Sequence, residues 1–361
     1  MAISAEERRA RILDVVRESG SVRVTELAER LGLPTVTVRR DVAALAENGL
    51  LRRSHGSVSL PQGGTPGHRR AGGAGPVVGM LVPTVGSYFD EIIEGARSAA
   101  TTAGARLVLG ISPYEAQDDR AQVERILGSG IDGLLFTPNW RPGAPDEGDW
   151  LTKLPVPTVL VERRAAAGAV AADLDAVVSD HRHGVLLALR HLAALGHRSV
   201  LLAARNDTWT AHEVRAGYAE AARVLGIEAH PVVDVHPWGT DPIAPADPQW
   251  LADRLADHAE QGVRAVLVHN DRDAIQLPQL LRARGLRVPE DLALISYDDV
   301  FAALTTPPLT AVAPPKQAVG TVALDLLLRR MSTGSDLPAH HIGLLPTLVV
   351  RSSCGALPVR G

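Results

Sequence analysis

The sequence predicts a small α+β domain followed by an α/β region in which two lobes with parallel sheets face each other. Residues 1–76 carry a formal charge of +4, whereas the rest of the chain carries −8. Glycine and proline dominate residues 61–76, which gives the segment too few apolar side chains for a core. Beyond it, apolar strands alternate with amphipathic helices. The predicted boundaries are 1–60 for the first domain, 61–76 for a flexible linker, 77–354 for the two lobes and 355–361 for a tail.

The first 50 residues have the periodicity of three short helices. Ser4 followed by Glu7 is a capping-box pattern that begins the first helix. A second helix is predicted over about residues 25–30, and Leu31-Gly32-Leu33-Pro34 forms a tight turn after it. The third helix is predicted over about residues 35–48. We expect four apolar residues of this helix to face inward: Val36, Val38, Val42 and Leu45.

Two short strands follow the helices, over residues 50–53 and 57–60. Helix, helix-turn-helix and hairpin together are the layout of a winged helix, which places the third helix in the DNA major groove. An arginine-rich, solvated helix in a protein-interaction domain is the alternative, but the turn, the arginine pair and the wing all agree with DNA binding. The predicted DNA contacts are Thr35, Thr37, Arg39, Arg40, Arg52, Arg53 and His55.

The N-terminal domain also resembles a known family. The runs VTVRRDV and GLLRRSHG, within the stretch from Ile12 to Val58, are similar to the N-terminal module of DeoR-family repressors. Pro34 stands where the family usually has a serine helix cap. The resemblance implies a winged helix-turn-helix that binds double-stranded DNA.

Beyond residue 77, about ten strand–helix units are recognisable. Strands such as VVGMLV (77–82), DGLLFT (132–137) and LALISYDD (292–299) are apolar on both faces, as strands of a buried parallel sheet are. Ten units are too many for one comfortable sheet, so two Rossmann-like lobes are predicted. Ligands bind at the carboxyl ends of such strands, and two facing lobes make a hinged cleft.

This region resembles the effector domain of LacI-family regulators. The resemblance rests on four blocks in the order of the family: VVGMLVPTVGSYFDEIIEGARSAATTAG, VVSDHRHGVLLALRHLAALGHRSV, a block that begins VLVHNDRDAIQLPQLLRARG, and LTTPPLTAV. The resemblance implies a type I periplasmic-binding-protein-like fold. It also implies three crossings between the lobes, near 178–181, 306–311 and 339–343.

Polar and aromatic residues at the strand ends are the candidate ligand contacts. Aromatic rings cover the CH faces of a polyol while carboxylates and amides bind its hydroxyls, so a sugar-like effector is expected. Asn270 and Asp271 have an alternative role as caps of the next helix. The resemblance gives most weight to Phe89, Glu162, Asn270 and Asp298. The full predicted set is Ser87, Tyr88, Phe89, Asn139, Glu162, Trp209, His212, Trp238, Asn270 and Asp298.

Two departures from the family pattern remove polar sugar contacts. Val214 stands where the family usually has an arginine, and the run Ala313-Pro314-Pro315 replaces a common glutamine. Both departures argue against a simple monosaccharide as the ligand. The linker is also too rich in glycine and proline to form the short hinge helix that is usual in this family.

Other classes of protein fit the sequence poorly. It has no nucleophile elbow, no Walker loop and no G-x-G-x-x-G after a strand, so neither an enzyme nor a bound cofactor is expected. His181 and His183 are poorly spaced for one metal ion, and a cap or hinge role is favoured. The only cysteine is Cys354. The sequence lacks a membrane span and a signal peptide, which predicts a cytoplasmic protein.

These observations predict a dimeric transcription repressor that a small sugar-like effector releases from an inverted-repeat operator. A regulator that the effector activates uses the same parts and stays an open alternative. A solute-binding protein and a sugar-converting enzyme are the alternatives from other classes. The DNA-binding domain argues against the first, and the absence of a catalytic constellation argues against the second.

Overall fold

The computed structural model describes most of the chain. The described residues are 8, 11–12, 15–16, 21–47, 52–54, 57–59, 75–84, 88–112, 119–140, 148–166, 168–235, 247–333 and 337–356. Ser87, Trp238, His55 and most of the predicted linker lie outside these residues. The backbone of Arg52 and Arg53 is described, but their side chains are not.

The N-terminal domain packs helices against a small antiparallel sheet. The described residues between 8 and 16 are helical, and Ile12 and Val16 are buried. Helices α1 (Val24–Leu31) and α2 (Thr35–Glu47) follow, and strands β1 (Ser21–Arg23), β2 (Arg52–Ser54) and β3 (Ser57–Ser59) pair in the order β1-β3-β2. Strand β1 was not predicted, because its three residues are too few to show a period. It pairs with β3 through Val22 and Val58, and both side chains are buried.

The first lobe contains a six-stranded parallel sheet with the order β15-β8-β7-β6-β4-β5. Alternate residues of each strand enter the apolar layers on opposite faces, as Met80 and Leu81 of β4 do. Its strands are β4 (Val77–Val82), β5 (Arg106–Ile111), β6 (Gly133–Phe136), β7 (Thr158–Val161), β8 (Asp175–Ser179) and β15 (His341–Leu344).

In the described part of this lobe, three helices cover the sheet: α3 (Tyr88–Thr102), α4 (Asp119–Leu127) and α10 (Lys316–Thr333). Helices α3 and α10 approach each other closely through two glycines. A Cβ atom on Gly95 would lie 2.0 Å from the backbone oxygen of Gln317, and one on Gly320 would lie 1.9 Å from the backbone oxygen of Ile92. Only glycine fits at these two positions, so the helix pair depends on both.

The second lobe contains the sheet β10-β9-β12-β13-β14-β16, with β11 paired to β9. Its strands are parallel except β16, which is antiparallel to β14. The strands are β9 (Ser199–Ala204), β10 (Glu228–Ala229), β11 (Val233–Asp234), β12 (Ala265–His269), β13 (Ala293–Tyr297), β14 (Thr310–Ala313) and β16 (Thr347–Val349). The helices are α5 (His181–Ala194), α6 (Trp209–Leu225), α7 (Pro248–Glu260), α8 (Asp271–Ala274) and α9 (Leu277–Ala283). Two lobes with largely parallel sheets confirm the predicted fold class.

The chain passes between the lobes at three places. The first lies between β8 and α5. The second lies at Pro314–Pro315, because residues 310–313 still pair with β13 of the second lobe. The third lies at residues 345–346, because residues 341–344 pair with β8 of the first lobe. The crossings predicted near 306–311 and 339–343 therefore precede the observed ones, since residues 310–311 and 341–343 still pair within a sheet.

Candidate functional site

Helix α2 presents basic side chains on the surface of the N-terminal domain. Arg39 and Arg40 are exposed, while Thr35 and Thr37 are half-buried beside them. In the described part of the chain, no carboxylate forms an ion pair with either arginine. Asp41, the next residue, is buried and accepts a 2.9 Å hydrogen bond from Arg8. The acidic residue therefore points into the domain, and the two arginines remain available to an anionic partner.

One prediction about this helix is wrong. Val36 was expected to face inward, but its side chain is 79 % exposed. Val38, Val42 and Leu45 are buried and follow each other at spacings of four and three residues. Val36 lies two residues before Val38, about 200° around the helix, and so faces outward beside the arginines.

The carboxyl ends of the parallel strands bring together several groups that the sequence predicted. Glu162 directly follows β7 and is buried, and its backbone φ is +56°. The hydroxyl of Tyr88 donates a 3.0 Å hydrogen bond to Oε1 of Glu162. Ser179, at the end of β8, donates from its hydroxyl to Oε1 at 2.7 Å and from its amide to Oε2 at 3.0 Å. A non-glycine residue in the left-handed region is a strained conformation that marks candidate functional sites.

Asp298 lies at the corresponding end of β13 in the second lobe. It is buried, its φ is +94°, and its Oδ1 atom has no hydrogen-bond partner among the described residues. Burial raises the pKa of its carboxyl group to about 8, and the negative charge of Asp271 contributes to the rise. The carboxyl group is therefore largely neutral at pH 7 and presents both a donor and an acceptor.

Lys316 connects the two lobes beside these carboxyl groups. Its Nζ atom, at the start of α10 in the first lobe, donates a 2.9 Å hydrogen bond to the backbone oxygen of Asp298. Nζ also lies 2.9 Å from Oε1 of Glu91 and 5.5 Å from the ring centroid of Tyr88. Burial raises the pKa of Tyr88 well above 10, and the charges of Glu162 and Asp298 raise it further. Tyr88 is thus a neutral hydrogen-bond donor to Glu162.

His181 and Tyr297 form the buried junction at the first crossing. Nδ1 of His181 lies 3.1 Å from the hydroxyl of Tyr297, and its Nε2 lies 3.7 Å from Oε2 of Glu162. Burial lowers the pKa of His181, although the charge of Glu162 opposes this effect. His269, at the end of β12, packs its ring 5.6 Å from that of Tyr297, and burial lowers its pKa to about 3. Burial therefore favours the neutral form of both histidines.

Two adjacent polar residues after β12 have structural contacts. The side chain of Asn270 caps α8 by accepting a hydrogen bond from the amide of Asp273. Oδ2 of Asp271 accepts hydrogen bonds from the amides of Val300 and Phe301, at 2.6 and 2.5 Å, and from that of Ala302 at 3.2 Å. Asp271 therefore holds the loop after β13, the loop that positions Asp298.

The remaining described candidates contact neighbouring residues of their own lobes. Phe89 is buried in the apolar layer of the first lobe. The side-chain amide of Asn139 donates hydrogen bonds to Ser112 and Asp119 of the same lobe. Trp209 is half-buried and His212 is exposed in the first turn of α6, with ring centroids 6.4 Å apart.

Sequence reasoning missed several buried polar residues near the same strand ends. Each of them is the last residue of a strand, lies within two residues after a strand, or begins a helix. Val214, which stands where the family usually has an arginine, is buried in the core. The guanidinium group of its neighbour Arg215 donates hydrogen bonds to the backbone oxygens of Ala204 and Arg205 and forms an ion pair with Asp234. An arginine directly after an apolar strand, as Arg205 is after β9, is the sequence signal that could have indicated such a residue. The missed residues are Arg163, Ser179, Arg205, Tyr297 and Lys316.

Within the described ranges, no helix is long and apolar enough to span a membrane. The same ranges contain no group of three or more His, Cys, Asp or Glu side chains that could hold a metal ion.

Comparisons with known proteins agree with this architecture. Residues 8–62 match the DeoR-like helix-turn-helix domain, and residues 189–354 match the periplasmic binding protein-like domain. The chain joins a helix-turn-helix domain to a periplasmic-binding-protein-like domain. The second domain has the type I fold that LacI-family regulators share.

Two relatives and one solved structure are similar over both domains or most of the chain. The arabinose metabolism transcriptional repressor of Geobacillus stearothermophilus is 26 % identical over 344 residues, which cover 91 % of this chain and 89 % of the relative. The ribose operon repressor of Escherichia coli K12 is 28 % identical over 284 residues, 76 % of this chain and 81 % of the relative. A structure of the transcriptional regulator CelR with cellobiose is 24 % identical, with a TM-score of 0.64, and the match covers 89 % of this chain and 91 % of that one.

Proposed function

We propose that this protein is a transcriptional repressor that binds operator DNA through its helix-turn-helix domain and a sugar-like effector between its two lobes. One observation carries the proposal: the same chain contains a helix with two exposed arginines and buried polar groups from both sheets, which meet where the lobes contact each other. The similar proteins are named as repressors of arabinose and ribose genes, which supports both the DNA-binding role and a sugar-type effector. Such a regulator acts in the cytoplasm and needs no enzymatic activity.

The proposed DNA interface is α2 together with the hairpin β2–β3. Guanidinium groups match phosphates and guanine edges, and hydroxyl groups bind phosphates or bases. The match to the DeoR-like domain supports a DeoR-type winged helix, in which the hairpin contacts the backbone or the minor groove. The residues proposed to contact DNA are Thr35, Thr37, Arg39, Arg40, Arg52, Arg53 and His55.

The proposed effector site is the cleft between the carboxyl ends of the two sheets. Its central groups are Tyr88 and Glu162 of the first lobe and Asp298 of the second lobe. Tyr88 donates a hydrogen bond to Glu162, and the charges of Glu162 and Asp298 both raise the pKa of Tyr88. An effector that binds groups of both lobes stabilises their closed arrangement. The residues proposed to line the remainder of the cleft are Ser87, Phe89, Asn139, Trp209, His212, Trp238 and Asn270.

Repression and release are proposed to depend on a homodimer and an inverted-repeat operator. Two-fold pairing makes the second DNA contact nearly intramolecular, which raises the affinity of a domain with few basic residues. Closure of the lobes then changes the spacing of the two DNA-binding domains, and the affinity for the operator falls. Sedimentation of the full chain at micromolar concentration tests the dimer, and a monomer that binds a single half-site tightly would contradict it.

Selection of DNA from a random pool by the full chain tests the proposed function. We expect an enriched inverted repeat, and we expect a sugar that raises the melting temperature to release that DNA. A ligand at about a hundred times its Kd stabilises the protein by about 2.7 kcal/mol, which is easily measured. If no DNA sequence is enriched, the proposed repressor function is refuted. If the selected DNA is released although no sugar stabilises the protein, the proposed sugar-like class of effector is refuted. A sugar that tightens DNA binding would establish the alternative of an activated regulator.

A further inference from the structure

Val36 exposes an apolar side chain in the first turn of α2. Its side chain is 79 % exposed, a larger fraction than that of any other large apolar side chain in the described ranges. Neither packing nor helix formation accounts for a valine here, because the side chain lies in water and branched residues form helices less readily than alanine or arginine. Val224 and Leu304 are exposed as well, so exposure by itself does not indicate a contact. The position of Val36 on its helix distinguishes it from both.

Val36 lies between two arginines on the outward face of α2. Arg39 and Arg40 follow it by three and four residues, which puts one about 60° to one side and the other about 40° to the other side, roughly one turn along the helix. Both arginines are exposed, whereas Val38 and Val42 are buried against the domain. The three outward side chains therefore form one continuous patch, in which two positive charges flank an apolar group.

The charge of this patch indicates an anionic partner. No acidic residue lies in the first turn of α2, and the buried carboxylate of Asp41 accepts its hydrogen bond from Arg8. An apolar protein surface that covered Val36 would also take the two arginines out of water, which is costly without counter-charges. Duplex DNA supplies phosphates along both strands, and its major groove presents the 5-methyl group of thymine as an apolar group. DNA therefore matches both the charges and the side chain between them.

We propose that Val36 contacts the 5-methyl group of a thymine in each half of the operator and so selects a T·A pair at that position. Val36 is the second residue of α2, and the N-terminal residues of a recognition helix are those that reach base edges. Arg39 and Arg40 bind phosphates or guanine edges beside it, and Val36 discriminates through apolar contact alone. This inference rests on the proposed function and adds a base-reading residue to it.

Uracil substitution in the selected DNA tests the inference, because uracil differs from thymine only by the missing 5-methyl group. Each thymine of the selected inverted repeat is replaced in turn in both half-sites, and fluorescence anisotropy gives the affinity of the full chain for each duplex. We expect one thymine position at which uracil weakens binding by the wild type about fourfold for each half-site, as the loss of one buried methyl contact predicts.

Val36→Ala should remove this dependence on the methyl group. The variant should bind thymine DNA about as weakly as the wild type binds uracil DNA, and uracil should weaken its binding no further. Val36→Thr keeps one of the two methyl groups and should retain part of the preference. Val224→Ala, which truncates an exposed valine on a helix of the second lobe, is the matched control and should bind both DNAs as the wild type does. Unchanged melting temperatures exclude unfolding as the cause.

A second measurement restores the methyl group without thymine. 5-Methylcytosine carries its methyl group at the same ring position as thymine. At the identified position, the wild type should therefore bind DNA with 5-methylcytosine more tightly than DNA with cytosine, and Val36→Ala should bind the two equally. A wild type that does not distinguish the two cytosines would overturn the contact.

The outcomes separate the inference from the proposed function. If the selected repeat contains no common thymine, or if uracil weakens Val36→Ala as much as the wild type, the repressor stands and Val36 does not read thymine. If no DNA sequence is enriched, the proposed function fails and the inference fails with it.

Discussion

The ammonium group of Lys316 in the first lobe donates a 2.9 Å hydrogen bond to the backbone oxygen of Asp298 in the second lobe. Lys316 begins the helix that directly follows the second crossing, and Asp298 directly follows a central strand of the opposite sheet. A buried ammonium group therefore connects the lobes beside the proposed effector site. The neighbouring carboxylate of Glu91 supplies its counter-charge.

Lys316→Met should weaken this connection. A hydrogen bond from a charged donor contributes about 1.5–3 kcal/mol, so we expect the free energy of unfolding to fall by about 2 kcal/mol in urea titrations. Lys153→Met is the matched control, because Lys153 is the only other lysine and its side chain is exposed. Equal stability of the two variants would show that the hydrogen bond contributes nothing.

The raised pKa of Asp298 predicts a specific pH dependence. The folded carboxyl group keeps its proton up to about pH 8, whereas the unfolded group loses it near pH 4. Between these values the folded state binds more protons, so the stability of the wild type falls by about 1.4 kcal/mol per pH unit through this group. Asp298→Asn does not titrate and should lack this loss. Urea unfolding at pH 5, 6, 7 and 8 measures the difference between the two proteins, which should grow in favour of the variant as the pH rises. A difference that stays constant with pH would contradict the raised pKa.

Arg39→Ala with Arg40→Ala should greatly weaken binding to the selected DNA without unfolding the domain. Both side chains are exposed, so the change removes no buried contact. Each lost phosphate contact should reduce the slope of log affinity against log salt concentration by about 0.9. Fluorescence anisotropy at several salt concentrations gives that slope. Unchanged affinity and slope would disprove the assignment of the recognition helix.

Val36→Ser and Val38→Ser should differ sharply in their effect on the N-terminal domain. Val36 is 79 % exposed, so its substitution should change the stability by no more than about 0.5 kcal/mol. Val38 is fully buried, and a hydroxyl group at its position costs about 2 kcal/mol or more. Hydrogen exchange of the amides in α1 and α2 of the full chain measures both effects. Similar protection in the two variants would show that the assigned inward face is incorrect.

Gly320→Ala should disrupt the contact between α3 and α10. The added Cβ would lie 1.9 Å from the backbone oxygen of Ile92, and a clash with backbone cannot be relieved by a side-chain rotation. We expect a loss of about 3 kcal/mol or more in urea unfolding. Gly343→Ala is the control, because its Cβ would meet no atom within 4 Å, and it should be tolerated. A normally stable Gly320→Ala variant would mean that the helices are further apart.

The sequence alone predicted the features that depend on local patterns. Strands that are apolar on both faces predicted parallel sheets, and the turn before α2 followed by Arg39 and Arg40 predicted an exposed basic helix. Glu162 and Asp298 directly follow apolar strands, so their place at the carboxyl ends follows from the order of residues alone. Neighbours along the chain determine all of these features, and for that reason periodicity is enough to find them.

Only the tertiary structure decided how those groups are used. Glu162 accepts hydrogen bonds from Tyr88 and Ser179, which lie 74 and 17 residues away in the sequence. The outward direction of Val36 depends on which face of α2 packs against the rest of the domain, and the crossings depend on which strand each segment pairs with. The burial of Arg163 likewise depends on contacts between distant segments. Such contacts, together with the desolvation that they cause, leave no periodic signal in the sequence, because they arise only when the sheets and helices have packed.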